Sequence, residues 1–498
     1  MGLSEMAVRD LKILFLASEA FPFAKTGGLA DVTGSLPGAM KRLGMNVRLA
    51  IPFYRTIREA DFQSRPVFND LHVPLGREIL PCRILETETP DEVPVYLVDR
   101  PSFYDRPSIY GEGSRDYGDN MERFCYFSHA VLVLAQKLSF LPDIIHCHDW
   151  QTGLIPALLK GPFREMGASS VFTIHNVGYK GLFPEWKWDI TGLPWVDFFH
   201  TEGMEYWGMI SLLKSGIVYS DAVTTVSPTY AEEIQRPEYG MGMDGILRHR
   251  KASLRGILNG ADYRLWNPST DPHIPSQYGP EEISGKKACK DALLREMNLD
   301  GSMAERPLLA VISRLDNQKG FDLLLPILDA LFAMSVGLVV LGSGDGHIQW
   351  LLKEAEKRHN GRMKTYIGFN EPLAHRILSG ADIFLNPSRY EPCGLTQIYA
   401  LKYGTVPVVR GTGGLEDTVH PFDYGTGEGT GFKFYSYDES AFFGALREAV
   451  AVYYNPPLWR RIQKNGMQVE YSWNRSAREY LELYKSLLPA FSTRRFLE

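Results

Sequence analysis

The stretch Lys25-Thr-Gly-Gly-Leu-Ala-Asp31 follows a short apolar run and opens a helical pattern, and near the far end of the chain Gly411-Thr-Gly-Gly-Leu-Glu-Asp417 does the same. A glycine pair between a strand and a helix lets a ligand approach the backbone, and the helix start offers unpaired N–H groups and partial positive charge to a phosphate. One such turn is more often a tight connection than a binding site. Two of them, each in the same strand-turn-helix setting, point to two halves built on one plan.

The flanking pattern agrees. In the first half LKILFLAS (11–18), NVRLAIP (46–52), DIIHCHD (143–149), SSVFTIH (169–175) and DAVTTVS (221–227) read as buried parallel strands, with a helix over Leu29–Leu43. The second half repeats the rhythm with PLLAVISRL (307–315), VGLVVLG (336–342), RMKTYIG (362–368), ADIFLNPS (381–388) and TVPVVR (405–410), and with a helix from Phe321. Each half therefore reads as a doubly wound, Rossmann-like α/β domain. Residues 257–280, dense in Gly, Pro, Asn and Asp, mark a connector. The expected organisation is a first domain over 1–258, a linker over 259–280, a second domain over 281–475 and a last helix within 476–498. That helix sets Ala477, Tyr480, Leu481, Tyr484, Leu487 and Leu488 on one face, so it must pack, with the first domain as the candidate surface. Ligands of open α/β sheets bind beyond the carboxyl ends of the strands, so two such domains facing a deep cleft would enclose one elongated ligand, and a nucleotide-sugar has that length.

Composition narrows the function classes. At 498 residues and 44% hydrophobic content the chain has material for two cores. A net charge of -6 supplies no global field for nucleic acid or anionic lipid, so an anionic ligand must be held by local cations. Five scattered cysteines without C-x-x-C spacing argue against a disulfide framework and a zinc site, and fit a reducing cytoplasm. No apolar run reaches transmembrane length, the N-terminal run is too short for a signal peptide, and after Met1-Gly2 position six is Met6 rather than the Ser or Thr that myristoylation needs.

The chemistry-bearing residues sit after strands. SRLDNQKGF places Arg314 and Lys319 beyond the carboxyl end of LLAVISRL, a fork and a point charge suited to a diphosphate. NPSRYEPCGLTQ occupies the matching place after ADIFLN: Glu391 can accept sugar hydroxyls or act as a helix-dipole partner, and Cys393, Gly394, Leu395 and Thr396 form a helix start able to donate N–H groups. In the first half HCHDWQTG and TIHNVGYKG bring Asp149 and His175, for which a helix cap and a satisfied backbone contact are the plain alternatives. Aromatics crowd the same half, and some of them could line an acceptor groove against the apolar faces of sugar rings.

Taken together these motifs resemble the bacterial or plastid-type glycogen (starch) synthases, retaining glycosyltransferases of the two-Rossmann GT-B fold that use a nucleotide-glucose donor. The resemblance rests on K-T-G-G-L at Lys25–Leu29, H-x-H-D-W at His146–Trp150, H-N at His175-Asn176, S-R-L through Q-K-G at Ser313–Gly320, E-P-C-G-L-T-Q at Glu391–Gln397 and T-G-G-L-x-D-T-V at Thr412–Val419, in family order and spanning nearly the whole chain. It implies that Lys25 and the backbone of Gly27 and Gly28 meet the donor, that Arg314 and Lys319 hold its diphosphate beside Thr396, and that Glu391 with Cys393, Gly394 and Leu395 holds the glucose hydroxyls. It implies further that His175 sits at the reacting sugar and Asp149 toward the acceptor. The sequence departs from the family at Phe369, where Tyr commonly stacks on adenine, at Ala261 within Asn259-Gly260-Ala261-Asp262, and at Glu416.

The resulting expectation is transfer of glucose from ADP-glucose to the non-reducing 4-OH of an α-1,4-glucan, the two partners being ADP-glucose and glycogen. Retention by a carboxylate nucleophile, Glu391 or Asp149, or by same-face attack both stay open. The rivals are a UDP-glucose-dependent sucrose- or trehalose-type synthase and a glucan-binding protein without catalysis. No cofactor and no metal are expected, since the chain holds no D-x-D triplet and offers Lys25, Arg314 and Lys319 in place of a cation.

Overall fold

The computed structural model describes residues 11–488 apart from 114 and 139. Met1, Gly2 and the tail after 488 lie outside the described residues. The chain divides into two compact units, one made of the residues up to Gly260 together with those from Trp473 onward, the other of Ala261–Ser472.

In the first unit the apolar runs form the strands that periodicity predicts. β1 (Lys12–Leu16) and β2 (Asn46–Pro52) are followed by β3 (Arg65–Leu75), β4 (Glu78–Glu88) and β5 (Pro94–Asp99), then by β6 (Ile144–His148), β7 (Ser169–Ile174), β8 (Ala222–Thr225) and β9 (Leu254–Gly256). They make one nine-stranded sheet in the order β9-β8-β7-β6-β1-β2-β5-β4-β3. All pairs are parallel except β5-β4 and β4-β3. That antiparallel edge departs from the expected all-parallel pattern. Pro66, Pro74 and Pro81 interrupt its strands and half of its side chains are solvated, so it carries no continuous apolar run. Helix α1 (Gly28–Arg42) crosses from β1 to β2, with Asp31 in its first turn and Lys41 and Arg42 in its last, each sign opposing the helix dipole.

The amphipathic helix at the end of the chain, Trp473–Leu487, folds as part of this unit. Ala477, Tyr480 and Tyr484 are buried as their spacing requires. Ser476 Oγ donates to the Leu258 carbonyl, and the Tyr484 hydroxyl lies 2.7 Å from His146 Nδ1 on β6.

The second unit holds β10 (Leu308–Ile312), β11 (Gly337–Gly342), β12 (Met363–Ile367), β13 (Ile383–Asn386), β14 (Val406–Arg410) and β15 (Phe432–Phe434), all parallel, in the order β12-β11-β10-β13-β14-β15. The segment after Gly260 is folded onto this unit. Trp266 is sandwiched between His375 (ring centroids 3.7 Å apart) and Tyr399 (4.2 Å), Asp271 binds His375 Nδ1 at 2.7 Å, and Tyr278 donates to the Tyr403 carbonyl at 2.9 Å. Polar turn residues mark where the chain leaves the first unit, and the aromatics among them dock the segment on the second. Among the described residues no helix is long and apolar enough to cross a membrane.

Because the Tyr484 ring is fully buried against β6 and α1, Tyr484→Ala should cost about 3–5 kcal/mol of first-unit stability. Denaturant melts followed by circular dichroism check this.

Candidate active site

In each sheet the strand order reverses beside the first strand, between β1 and β6 in one unit and between β10 and β13 in the other. The loops leaving the carboxyl ends of those four strands carry Lys25, Asp149, Arg314, Lys319 and Glu391, while His175, Asn259 and Phe369 follow other strands.

The loop after β1 is built on Glu19, which is 2% exposed. Its carboxylate accepts the Thr26 hydroxyl at 2.7 Å, the Thr26 amide and the Tyr110 hydroxyl, and Tyr110 also meets Ser18 Oγ at 2.7 Å. Burial raises Glu19 above the usual carboxylate range against these hydrogen bonds. The turn ahead of α1 is thereby pinned, with Lys25 paired to Asp31 at 2.7 Å. A Cβ on Gly27 would meet nothing within 4 Å, and α1 begins without a side-chain cap, so the open backbone expected of a ligand-facing turn is present. Sequence reading passed over Glu19, although an acidic residue directly after an apolar strand was a visible signal.

Beyond β6 the chain turns sharply. Asp149 has φ 56° and ψ -178°, a region that side chains other than glycine rarely enter, and its Oδ1 accepts the His175 amide at 2.7 Å. Burial raises Asp149 to about 7 in spite of hydrogen bonds from the His175 and Asn176 amides, with Glu19 adding to the rise. The same burial lowers His175 to about 3. His175 Nε2 lies 3.0 Å from His148 Nδ1. Asn259, 6% exposed, follows β9, and its amide donates to the Val226 carbonyl at 3.3 Å.

In the second unit the loop after β10 and the loop after β13 meet. Lys319 Nζ and Glu391 Oε2 are 2.5 Å apart with side chains 15% and 6% exposed, and Ser388 Oγ donates to the same oxygen at 3.0 Å. Gln318 stitches the loops, donating to the Tyr390 carbonyl at 3.1 Å and accepting the Arg389 amide at 2.8 Å. Arg314 is nearly half exposed and is held by Asp316 at 3.0 Å and Gln318 at 3.1 Å, on the same loop as Lys319. Gly394, at φ 71°, turns the chain between buried Cys393 and Leu395 so that a helix begins at Thr396. Phe369 stands 75% exposed in the loop after β12.

The second glycine turn has a different reason from the first. A Cβ on Gly413 would lie 1.9 Å from the Glu391 carbonyl oxygen, and one on Gly414 would lie 2.2 Å from that of Cys393. The Gly414 amide donates to the Glu391 carbonyl at 3.1 Å. These glycines let the helix Gly413–Thr418 close on the backbone that carries Glu391. Among the described residues no group of three or more His, Cys, Asp or Glu side chains is arranged to hold a metal ion.

With this geometry in hand, comparison with known proteins is specific. Residues 12–249 match the starch synthase catalytic domain model and residues 300–469 the model of glycosyl transferases group 1. The chain is 46% identical over 482 residues to a glycogen synthase of Anaeromyxobacter sp. (strain Fw109-5), covering 96% of this chain and 99% of that one. It is 42% identical over 483 residues to a glycogen synthase of Desulforamulus reducens, covering 96% and 99%. The solved catalytic domain of starch synthase IV from Arabidopsis thaliana, bound to ADP and acarbose, superposes with a TM-score of 0.89 at 33% identity, covering 96% and 99%. The sucrose-phosphate synthase of Thermosynechococcus elongatus, at 19% identity and TM-score 0.58, shares the fold. Fold and matches define a retaining glycosyltransferase of the GT-B type. The chain belongs to the glycogen synthase family.

The packing and the charges of the site can each be checked by mutation. Gly27→Ala should change stability by less than about 1 kcal/mol, whereas Gly414→Ala, forced against the Cys393 carbonyl, should cost about 3 kcal/mol, both read from thermal melts. Asp149 keeps its proton in the folded chain up to about 7, while the unfolded chain loses it near about 4, so this contribution is full below about 4 and lost as pH rises through about 7. His175 acts oppositely: its folded value of about 3 lies below the unfolded value of about 6.5, so its contribution is full above about 6.5 and lost as pH falls. Asp149→Asn removes only the first effect, and its denaturation midpoint should therefore fall more steeply than the parent's between about pH 6.5 and 4.5.

Proposed function

We propose that the protein transfers glucose from ADP-glucose to the 4-OH at the non-reducing end of an α-1,4-glucan, with retention at the anomeric carbon. The observation that carries this reading is the Lys319–Glu391 pair at the strand-order reversal of the second unit. A buried ammonium held by a single carboxylate exchanges it readily for a dianionic diphosphate, which then also engages Arg314. Glu391, released from Lys319, is free to accept sugar hydroxyls, beside the backbone of Cys393, Gly394 and Leu395 and the helix start at Thr396. Charge developing on the leaving nucleotide strengthens the Lys319 and Arg314 contacts, so they act on the transition state more than on the bound donor.

In the same reading Phe369 supplies an aromatic face to the adenine, and Lys25, Gly27, Gly28 and Asn259 are donor contacts. His175 works at the reacting sugar. Asp149, whose value of about 7 lets it hold or release a proton near neutrality, serves the acceptor hydroxyl rather than standing as a permanent anion. The relatives named glycogen synthase and the ADP- and acarbose-bound starch synthase support donor and acceptor. A cytoplasmic location fits five buried free cysteines.

Release of nucleotide from ADP-glucose or UDP-glucose, with and without glycogen, tests the proposal. Glycogen-dependent release from ADP-glucose is expected. Preference for UDP-glucose with a small acceptor would overturn it, as would no turnover with either donor. Lys319→Ala should lower kcat by orders of magnitude, and Glu391→Gln should fold normally yet lose most transfer, kcat being measured alongside circular dichroism. The site's own cations offset the diphosphate, so glucose incorporation should survive exhaustive chelation. Loss that added Mg²⁺ restores would contradict this.

A further inference from the structure

Alternate residues of a strand point to one side, so His146 and His148 of β6 lie ring against ring, with centroids 4.3 Å apart at 28°, both fully buried. His148 Nδ1 is 3.0 Å from His175 Nε2. The other nitrogen, His148 Nε2, is buried without a hydrogen-bond partner among the described residues, in a ring that stacks on Phe15 at 5.2 Å. Burial lowers both His148 and His175, so each ring carries a single proton at neutral pH and one of the two facing nitrogens must donate to the other. A proton on His148 Nε2 would leave a buried N–H with no acceptor, an arrangement folded proteins rarely hold. A proton on Nδ1 is used at once.

We propose that His148 is a positioning residue that donates from Nδ1 to His175 Nε2 and so holds His175 in its Nδ1–H tautomer, presenting an N–H donor to the sugar. His148 is itself held from behind. Its stacked neighbour His146 is fixed at both ring nitrogens, by the Tyr484 hydroxyl of the C-terminal helix at 2.7 Å and by Thr173 Oγ1 at 2.6 Å. His175 as a residue is half-buried, and with Nε2 engaged its Nδ1 is the ring nitrogen left for a ligand. The effect on turnover rests on the reading of His175 as the group at the reacting sugar, whereas the tautomer does not depend on that reading.

The two parts can be tested separately. In the full-length protein labelled with ¹⁵N-histidine, long-range proton–nitrogen spectra, with His175→Asn identifying the signal, should show His175 protonated at Nδ1. Protonation at Nε2 would overturn the proposal. The side-chain amide nitrogen of Asn falls where His has Nδ1, and that of Gln where His has Nε2. His148→Gln should therefore lower kcat by at least about tenfold with little change in KM for ADP-glucose, and His148→Asn should recover most of that loss. An Nδ1–H signal with equal kcat in the two variants would leave the tautomer standing and overturn its catalytic consequence together with the sugar-facing role of His175. Should both variants fail to fold, the spectrum of the parent chain still decides.

Discussion

Strands covered on both faces set the terms for everything else in this chain. The side chains of β1, β6, β10 and β11 are almost entirely withdrawn from water, so charge and hydrogen-bonding capacity can be offered only where those strands stop. Lys25, Asp149, Arg314, Lys319 and Glu391 all stand in loops leaving carboxyl ends, and in each unit they gather where the strand order reverses, because there two neighbouring loops part to opposite sides and leave room between them.

Holding polar groups there works against stability. Removing Lys319 and Glu391 from water costs more than an exposed pair would, and a buried ion pair is seldom a net stabiliser. Asp149 adds a backbone conformation that suits glycine and a carboxyl group raised by burial. Such features persist only where the surroundings over-determine them. In the second unit that task falls to Gly413 and Gly414, whose missing side chains let a helix backbone lie directly on residues 391–393. In the first unit Asp149 is held by its own hydrogen bonds, its backbone amide donating to the Thr173 carbonyl at 3.0 Å and its Oδ1 accepting the His175 amide at 2.7 Å, while Glu19 grips the turn ahead of α1.

How much of this was legible in the sequence depends on whether a feature is local. The parallel strands were readable because full burial forces unbroken apolar runs, and the last helix because one face repeats at helical spacing. The β3-β4 edge was not, since prolines and solvated positions erase the pattern. In the site, Lys319 and Glu391 could be placed on facing loops by position after their strands, and the structure brings them to 2.5 Å. The two glycine turns show the limit. Their five shared letters describe the same strand-to-helix step, yet one is open and the other packed against a loop that lies twenty residues earlier, and that difference comes from what the rest of the chain lays against each turn. Glu19 and His148 escaped for a related reason, as each acts on a partner brought near by the sheet.

Removal from water has opposite effects on an acid and a base, and the first unit uses both. Asp149 rises toward neutrality and His175 falls far below it, so near pH 7 neither is a firm charge. The second unit offers cations: Lys319 lies 2.5 Å from Glu391, and Arg314 lies half in solvent on the same loop as Lys319. Under the proposed reaction the two kinds of group suit different parts of the donor. A diphosphate is anionic throughout and gains charge as it leaves, so it calls for cations fixed in place. Sugar hydroxyls are neutral and both give and accept hydrogen bonds, so a near-neutral carboxyl and a neutral imidazole can pair with them alongside the Glu391 carboxylate without adding another buried charge. Burial alone, applied to two different side chains, leaves the loops around Asp149 and His175 with little fixed charge near neutrality.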